Sequence, residues 1–515
     1  MPIPVIDIFA GPGGLGEGFS ALTDKSGEQK FRIALSIEKE TFAHETLTLR
    51  SFFRQFKRNQ VPDAYYEFVK GNITKDKLYQ LHPNQAKAAH EEAWQATLGE
   101  TPDSEIDGRI AKALKGSKNW LLVGGPPCQA YSVVGRSRRK EKVLDESKDV
   151  RVGLYKQYLR ILAVHNPAVF VMENVKGILS ASTKDDSVFS KIREDLSDPV
   201  KAYIAEYGKP VTKLNCPGYR IYSLVTMPNG YDTNGNPDYK PGDFVIRAEE
   251  FGIPQARHRV ILLGVRKDID TTPGVLKQTD EVPISKVLDG LPRLRSGLSK
   301  SEDTGTHWLE VMHKIVSSNL LRGADAEVLD KINTSINNIK LPRYDIGREY
   351  IDKADLSVGY RQDWFIDQRL GGVCNHTSRG HMELDLYRYI FVASYAKVHR
   401  LSPKLENFPK GILPKHENVT EGIENKKFAD RFRVQLWDKP AKTITSHISK
   451  DGHYYIYPDP TQCRSFTVRE AARIQTFPDN YFFCGTRTFQ FHQVGNAVPP
   501  LLANQIAEIV HKIIL

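Results

Sequence analysis

The stretch Val5-Ile6-Asp7-Ile8-Phe9-Ala10-Gly11-Pro12-Gly13-Gly14-Leu15-Gly16 decides the fold. Val5 to Phe9 has the length and apolar content of a buried strand. It opens onto Gly11, Gly13 and Gly16, the spacing G-x-G-x-x-G. Glycines there let the backbone turn tightly and let a ligand approach with no side chain between. The next apolar run, Ile33 to Ile37, ends at Glu38, where a carboxylate can accept hydrogen bonds from ribose hydroxyls. Taken alone, the loop suits a nicotinamide or flavin site, a methyl-donor site or a purely structural turn.

Similar apolar runs recur at Trp120–Val123, Ala168–Met172 and Val260–Val265, each suited to a buried parallel strand. Helical patterns lie between them, at Thr41–Phe56 and Gly153–Val164. This alternation predicts an α/β fold with a doubly wound, mostly parallel sheet of the Rossmann-like kind. Leu502, Ile506, Ile509, Val510 and Ile513 stand at helical spacing and predict a closing helix against that sheet. Two stretches break the rhythm. Asn59–Ser117 is polar and helix-prone and reads as an insertion. From Asp268 to about Asp459 no alternation repeats. The expected organisation is a catalytic domain over 1–267 with a helical insertion near 59–117, a smaller inserted domain over 268–484, and a segment over 485–515 that returns to the first.

With 515 residues, 40% hydrophobic and 26% charged, the chain has an ordinary globular composition. Its 72 Lys and Arg against 62 Asp and Glu leave a formal charge of +10. That excess favours a polyanionic partner, because cations placed near phosphates release condensed counterions. Five cysteines with no C-x-x-C pair argue against a disulfide framework and suit a reducing cytoplasm. No basic leader precedes the first strand and no apolar run reaches membrane-spanning length, so a cytoplasmic protein without signal peptide or membrane segment is expected.

The third apolar run ends in Gly124-Gly125-Pro126-Pro127-Cys128-Gln129. A cysteine there stands at the carboxyl rim of the sheet, where ligands bind, on a turn stiffened by two prolines. Phe170-Val171-Met172-Glu173 brings a carboxyl to the same rim. Gln255-Ala256-Arg257-His258-Arg259 opens the last strand, with Arg257 and Arg259 alternating onto one face. A thiol, a carboxyl and two guanidiniums together suit a nucleophile, an acid and an anion clamp.

Later come Arg469-Glu470-Ala471-Ala472-Arg473-Ile474-Gln475-Thr476-Phe477-Pro478 and Gln493-Val494-Gly495-Asn496-Ala497-Val498-Pro499-Pro500. With the glycine loop, the Pro-Pro-Cys-Gln turn, Glu173-Asn174-Val175 and the Gln-x-Arg-x-Arg strand, they stand in an order that resembles the DNA cytosine-5 methyltransferases of prokaryotic restriction-modification or phage defence. The resemblance covers about half the chain. It implies a class I S-adenosylmethionine-dependent methyltransferase fold with an inserted target-recognition domain. It implies Cys128 as the nucleophile toward carbon 6 of a cytosine and Glu173 as the contact to the ring nitrogen and exocyclic amine. Arg259 would hold the carbonyl oxygen, with Arg257 acting close by. S-adenosylmethionine is the implied cofactor, surrounded by Phe9, Gly11, Gly13, Leu15, Glu38, Pro126, Asn496 and Val498. Asn72 stands where the family often has an aspartate; its amide oxygen can accept the same hydrogen bond without charge. The target base must be flipped out of the duplex. Arg136, Arg138 and Arg139 beside the nucleophile, and Arg379 within Asn375–His381, are the implied DNA contacts.

Cys374, His376 and His381 have no fourth ligand at sensible spacing, so no metal is expected. The implied partners are double-stranded DNA and a cognate restriction endonuclease or defence-system protein, with the enzyme acting as a monomer. The nearest alternative is the same chemistry on tRNA, against which the large recognition insertion argues. A nicotinamide dehydrogenase would leave the Pro-Pro-Cys-Gln turn without purpose. A silent DNA-binding module would do the same to Cys128 and Glu173.

Overall fold

In strand β1 (Ile3–Ile8), Val5, Ile6 and Ile8 are all fully buried, so both faces of the strand are covered. The structure is a computed structural model that describes residues 1–126, 150–180, 188–208, 214–354, 356–414 and 430–514. The chain forms two compact units. The first comprises 1–59, 82–280 and 497–515; the second comprises 60–81 and 281–496.

The first unit is built on one mixed sheet. β1 lies between β2 (Phe31–Glu38) and β4 (Leu121–Gly124); β2 also pairs with β3 (Ala93–Gln95), and β4 with β5 (Val169–Val175), all in parallel. After β6 (Tyr219–Tyr222), β7 (Val245–Arg247) and the two-residue β8 (Gln255–Ala256), β9 (His258–Arg266) returns antiparallel to β5. β6 and β7 both pair antiparallel with β9. The order is β3-β2-β1-β4-β5-β9-β6. Chain order reverses between β1 and β4, which opens a crevice at their carboxyl ends. The helices Thr41–Arg54 and Val150–His165 appear close to where the periodicity places them, and Pro500–Ile514 packs on the short helix Gly14–Ser20.

Two expectations change here. Val260–Val265 is a buried strand but runs antiparallel, because burial on both faces makes a strand apolar whatever its direction. Asn59–Ser117 is more than an insertion: Ala93–Gln95 adds the edge strand β3, too short for periodicity to reveal.

The unit boundaries also differ from the division at 267/268 and 484/485. Residues 268–280 stay with the first unit, where Leu276 N–H donates to Leu224 O and Thr279 N–H to Glu250 O. Residues 60–81 belong to the second, where the Tyr65 hydroxyl donates to Asn480 O and the Tyr66 hydroxyl to Asp367. The helix Arg487–Asn496 belongs there too, tied by the Gln475 amide to Val494 O.

The second unit packs the helices Gly305–Ser317, Ala326–Asn337 and Glu383–His399 around Trp308, Val311, Ile332, Tyr389 and Ile390. Glu383–His399 is buried on all sides from Asp385 to Ser394, so its aromatics are core. An antiparallel pair, Gly347–Asp352 with Gly372–Thr377, flanks this core.

Candidate active site

The glycine loop turns where β1 ends. Phe9, Gly11 and Gly13 all have positive φ, at 56°, 57° and 94°. Gly11 and Gly13 adopt this left-handed backbone without strain, whereas Phe9 adopts it at a cost. A Cβ on Gly11 would meet nothing within 4 Å, so the backbone there faces open space that a ligand can fill. The Glu38 carboxylate reaches across from β2 and accepts the Gly11 N–H at 2.8 Å, together with the N–H groups of Lys39 and Glu40. It thereby holds the loop in register with the ribose-binding edge expected of it. Leu15 and Val498 are buried in the same unit, and a Cβ on Gly14 would stand 2.3 Å from Val498 O. Open backbone, a poised carboxylate and apolar walls suit an S-adenosyl ligand.

Beneath the loop, Asp7 is fully buried. Burial pushes its carboxyl up to about 7 against the pull of the Arg54 guanidinium and the Gly16 N–H, with the Glu38 charge adding to the rise. Arg54 is itself held by Glu92 at 2.7 Å, and Glu17 by the fork of Arg50.

At the neighbouring strand ends, Glu173 on β5 and Arg259 on β9 form an ion pair, Oε1 to Nε at 2.8 Å, though not aligned as a hydrogen bond. Both are mostly buried, with side chains 16% and 17% exposed. Register explains the meeting: Arg259 faces Val175, and Glu173 faces Ile261, across adjacent antiparallel strands. Gly125, just beyond β4, sits so close that a Cβ there would be 2.9 Å from Glu173 Oε2. Gly124 approaches β1 as tightly, its Cβ position being 2.3 Å from Ile8 O. The sequence marks this corner by its Gly-Gly-Pro-Pro run, but not the close approach of Gly125 to Glu173. Pro126 follows, buried; Arg257, also buried, stands immediately before β9.

The remaining candidates lie elsewhere. Cys128, Arg136, Arg138 and Arg139 lie outside the described residues. Asn72 belongs to the second unit, exposed, with its amide donating to Glu67 at 2.7 Å. Asn496 ends the helix Arg487–Asn496 in the second unit and is exposed, whereas Val498 belongs to the first. Arg379, expected as a DNA contact, is only 7% exposed. Its guanidinium donates to Ile448 O at 2.7 Å and Lys450 O at 3.0 Å, because those turn carbonyls need a donor that the backbone does not supply.

The Arg469–Pro478 motif is a buried knot. Arg469 donates to Cys374 O, Pro478 O and Tyr481 O, while Arg473 pairs with Asp479 at 2.6 Å and Arg464 with Glu470 at 2.7 Å. Cys374, His376 and His381 are engaged separately, with Arg469, Thr467 and Ser465. Among the described residues no cluster of His, Cys, Asp or Glu is arranged to hold a metal ion, and no helix is long and apolar enough to cross a membrane.

Residues 83–199 and 231–512 match the model of the C-5 cytosine-specific DNA methylase family. Among similar proteins is the type II methyltransferase M.Bpa9945I of Bacillus paralicheniformis, 33% identical over 99% of both chains. Type II methyltransferase M.DdeI of Desulfomicrobium norvegicum is 26% identical over 98% of this chain and 87% of its own. DNA (cytosine-5-)-methyltransferase M.ApeKI of Aeropyrum pernix is 26% identical over 78% of this chain and 83% of its own. A crystal structure described as a DNA modification methyltransferase encoded within an E. coli prophage shares the fold, with TM-score 0.50, 18% identity and 99% of both chains covered.

Proposed function

The chain belongs to the C-5 cytosine-specific DNA methylase family, and from that premise we infer that it methylates carbon 5 of a flipped-out cytosine within a specific sequence of duplex DNA. The observation that carries the reading is the Glu173–Arg259 ion pair lying against Gly125, in the segment that leads within the sequence to Cys128.

S-adenosylmethionine, when bound, supplies an electrophilic sulfonium methyl. Phe9, Gly11, Gly13, Leu15, Glu38, Pro126 and Val498 of the first unit are the residues to hold it. Carbon 5 of cytosine is a poor nucleophile, so the Cys128 thiolate adds to carbon 6 and drives the electron pair onto carbon 5. Glu173 holds the ring nitrogen and exocyclic amine and shares a proton as charge builds on the ring. Arg259 steadies both Glu173 and the cytosine carbonyl oxygen, with Arg257 next to it. After methylation a base removes the carbon 5 proton, the ring double bond reforms and the cysteine leaves as thiolate. The same reading extends to Arg136, Arg138 and Arg139 as phosphate contacts, to action as a monomer in the prokaryotic cytoplasm, and to a cognate restriction endonuclease. Relatives named as type II methyltransferases support that last assignment.

DNA containing 5-fluorocytosine tests the chemistry, because fluorine cannot leave as the proton does. Wild-type enzyme with S-adenosylmethionine is expected to form a denaturant-resistant adduct, and Cys128→Ala none. An adduct on tRNA but not on duplex DNA would overturn the substrate assignment.

A further inference from the structure

Two arginines of the second unit, Arg379 and Arg487, are held on neighbouring stretches of backbone. Arg379 is buried beneath the Ser446–Ser449 turn, bonded to the carbonyls of Ile448 and Lys450. Arg487, exposed at the start of the helix Arg487–Asn496, donates to Ser378 O at 3.2 Å, one residue from Arg379. Phe491 connects the two: it stands one helical turn after Arg487, and the Arg379 guanidinium lies 4.8 Å from its ring centroid. Among the described residues neither arginine has a carboxylate within ion-pair distance, and the Arg379 Nε has no hydrogen-bond acceptor. Asp451 offsets Arg379 only at longer range. Burial, and then the charge of Arg487, lower the Arg379 pKa to about 10.

Two like charges held together in a partly dry site repel, and an anion placed against them recovers that energy. The structural alternative, an arginine used only to satisfy turn carbonyls, accounts for Arg379 but not for a second, exposed arginine set beside it. We propose that Arg487, with Arg379 behind it, anchors a backbone phosphate of the DNA substrate on the second unit. Arg487 makes the contact. Arg379 positions the Ile448–Lys450 turn and adds its field. The proposal rests on the DNA methyltransferase reading and adds to it a binding residue outside the catalytic motifs.

The test measures binding of a fluorescently labelled duplex by wild type, Arg487→Gln, Arg487→Lys and Arg322→Gln across a potassium chloride series. Arg322 is an exposed arginine elsewhere on the second unit and serves as the control. Loss of one charge-assisted contact is expected to raise Kd roughly tenfold for Arg487→Gln. It should also flatten the dependence of log Kd on log salt by about 0.9. Arg487→Lys should keep most of that salt dependence, and Arg322→Gln should match wild type. If wild type binds duplex and Arg487→Gln binds equally, with the same salt dependence, this proposal falls while the methyltransferase reading stands. If wild type binds no duplex, that reading falls first. Inorganic phosphate that raises the melting temperature of wild type but not of Arg487→Gln, with DNA binding unchanged, would show a free-anion site and overturn the assignment to DNA.

Discussion

Asp7→Asn isolates the electrostatic cost of the carboxyl beneath the glycine loop. Burial raises this group from 3.8 to about 7, so between those values the folded protein keeps a proton that the unfolded chain releases. Stability contributed by the neutral acid is therefore complete below pH 3.8 and is lost as pH rises toward about 7. At about 1.4 kcal/mol per pH unit, the whole window amounts to about 4 kcal/mol, and the part above pH 5 to about 3 kcal/mol. Asparagine has nearly the same shape and never ionises. The variant should accordingly gain about 3 kcal/mol on wild type between pH 5 and pH 8. Hydrogen exchange of the β1 and β4 amides reads the opening free energy of this unit, and comparing both proteins at each pH cancels the intrinsic exchange rates. A gap that stays constant from pH 5 to pH 8 would refute the reasoning, because it would mean that Asp7 titrates at its ordinary value despite burial.

The two glycines after β4 should fail in different ways. Gly124→Ala places a Cβ 2.3 Å from the backbone of Ile8 and should destabilise the first unit by about 1–3 kcal/mol in a denaturant melt. Gly125→Ala meets Glu173 Oε2 at 2.9 Å and should lower kcat by roughly tenfold to a hundredfold with little change in the melt, an outcome refuted if both variants lose stability alike. In the second unit, Glu470→Gln leaves Arg464 buried without its charge partner, at a cost of about 3–5 kcal/mol readable as a lower unfolding midpoint. Burial pulls the Glu470 carboxyl up, but Arg464 outweighs it and holds the pKa below the ordinary range. Its contribution is thus present above the unfolded pKa and lost as pH falls through the folded one, a loss the glutamine variant should not show.

Much of the site was legible in local order. Glu38, Glu173 and Arg259 were placed by the rule that ligands gather at carboxyl ends of strands, and the structure brings Glu38 to Gly11 and Arg259 to Glu173. The burial of Arg379 was not legible, because a cation among polar neighbours looks the same in sequence whether it faces solvent or caps a buried turn. The Arg469–Pro478 motif marks the family but holds a fold knot, since its arginines are spent on buried carbonyls and Asp479.

By itself the sequence determined the α/β class, the glycine loop at the end of β1, the family and the chemistry it implies, because these depend on short-range periodicity and on motifs within a few residues. Tertiary structure alone decided that β9 runs antiparallel, that Ala93–Gln95 joins the sheet and that 60–81 belongs with 281–496. It alone placed Asp7 in a dry site and brought Arg487 onto the backbone beside Arg379. Strand direction, partner choice and local dielectric depend on residues far apart in the sequence, and no local pattern encodes them.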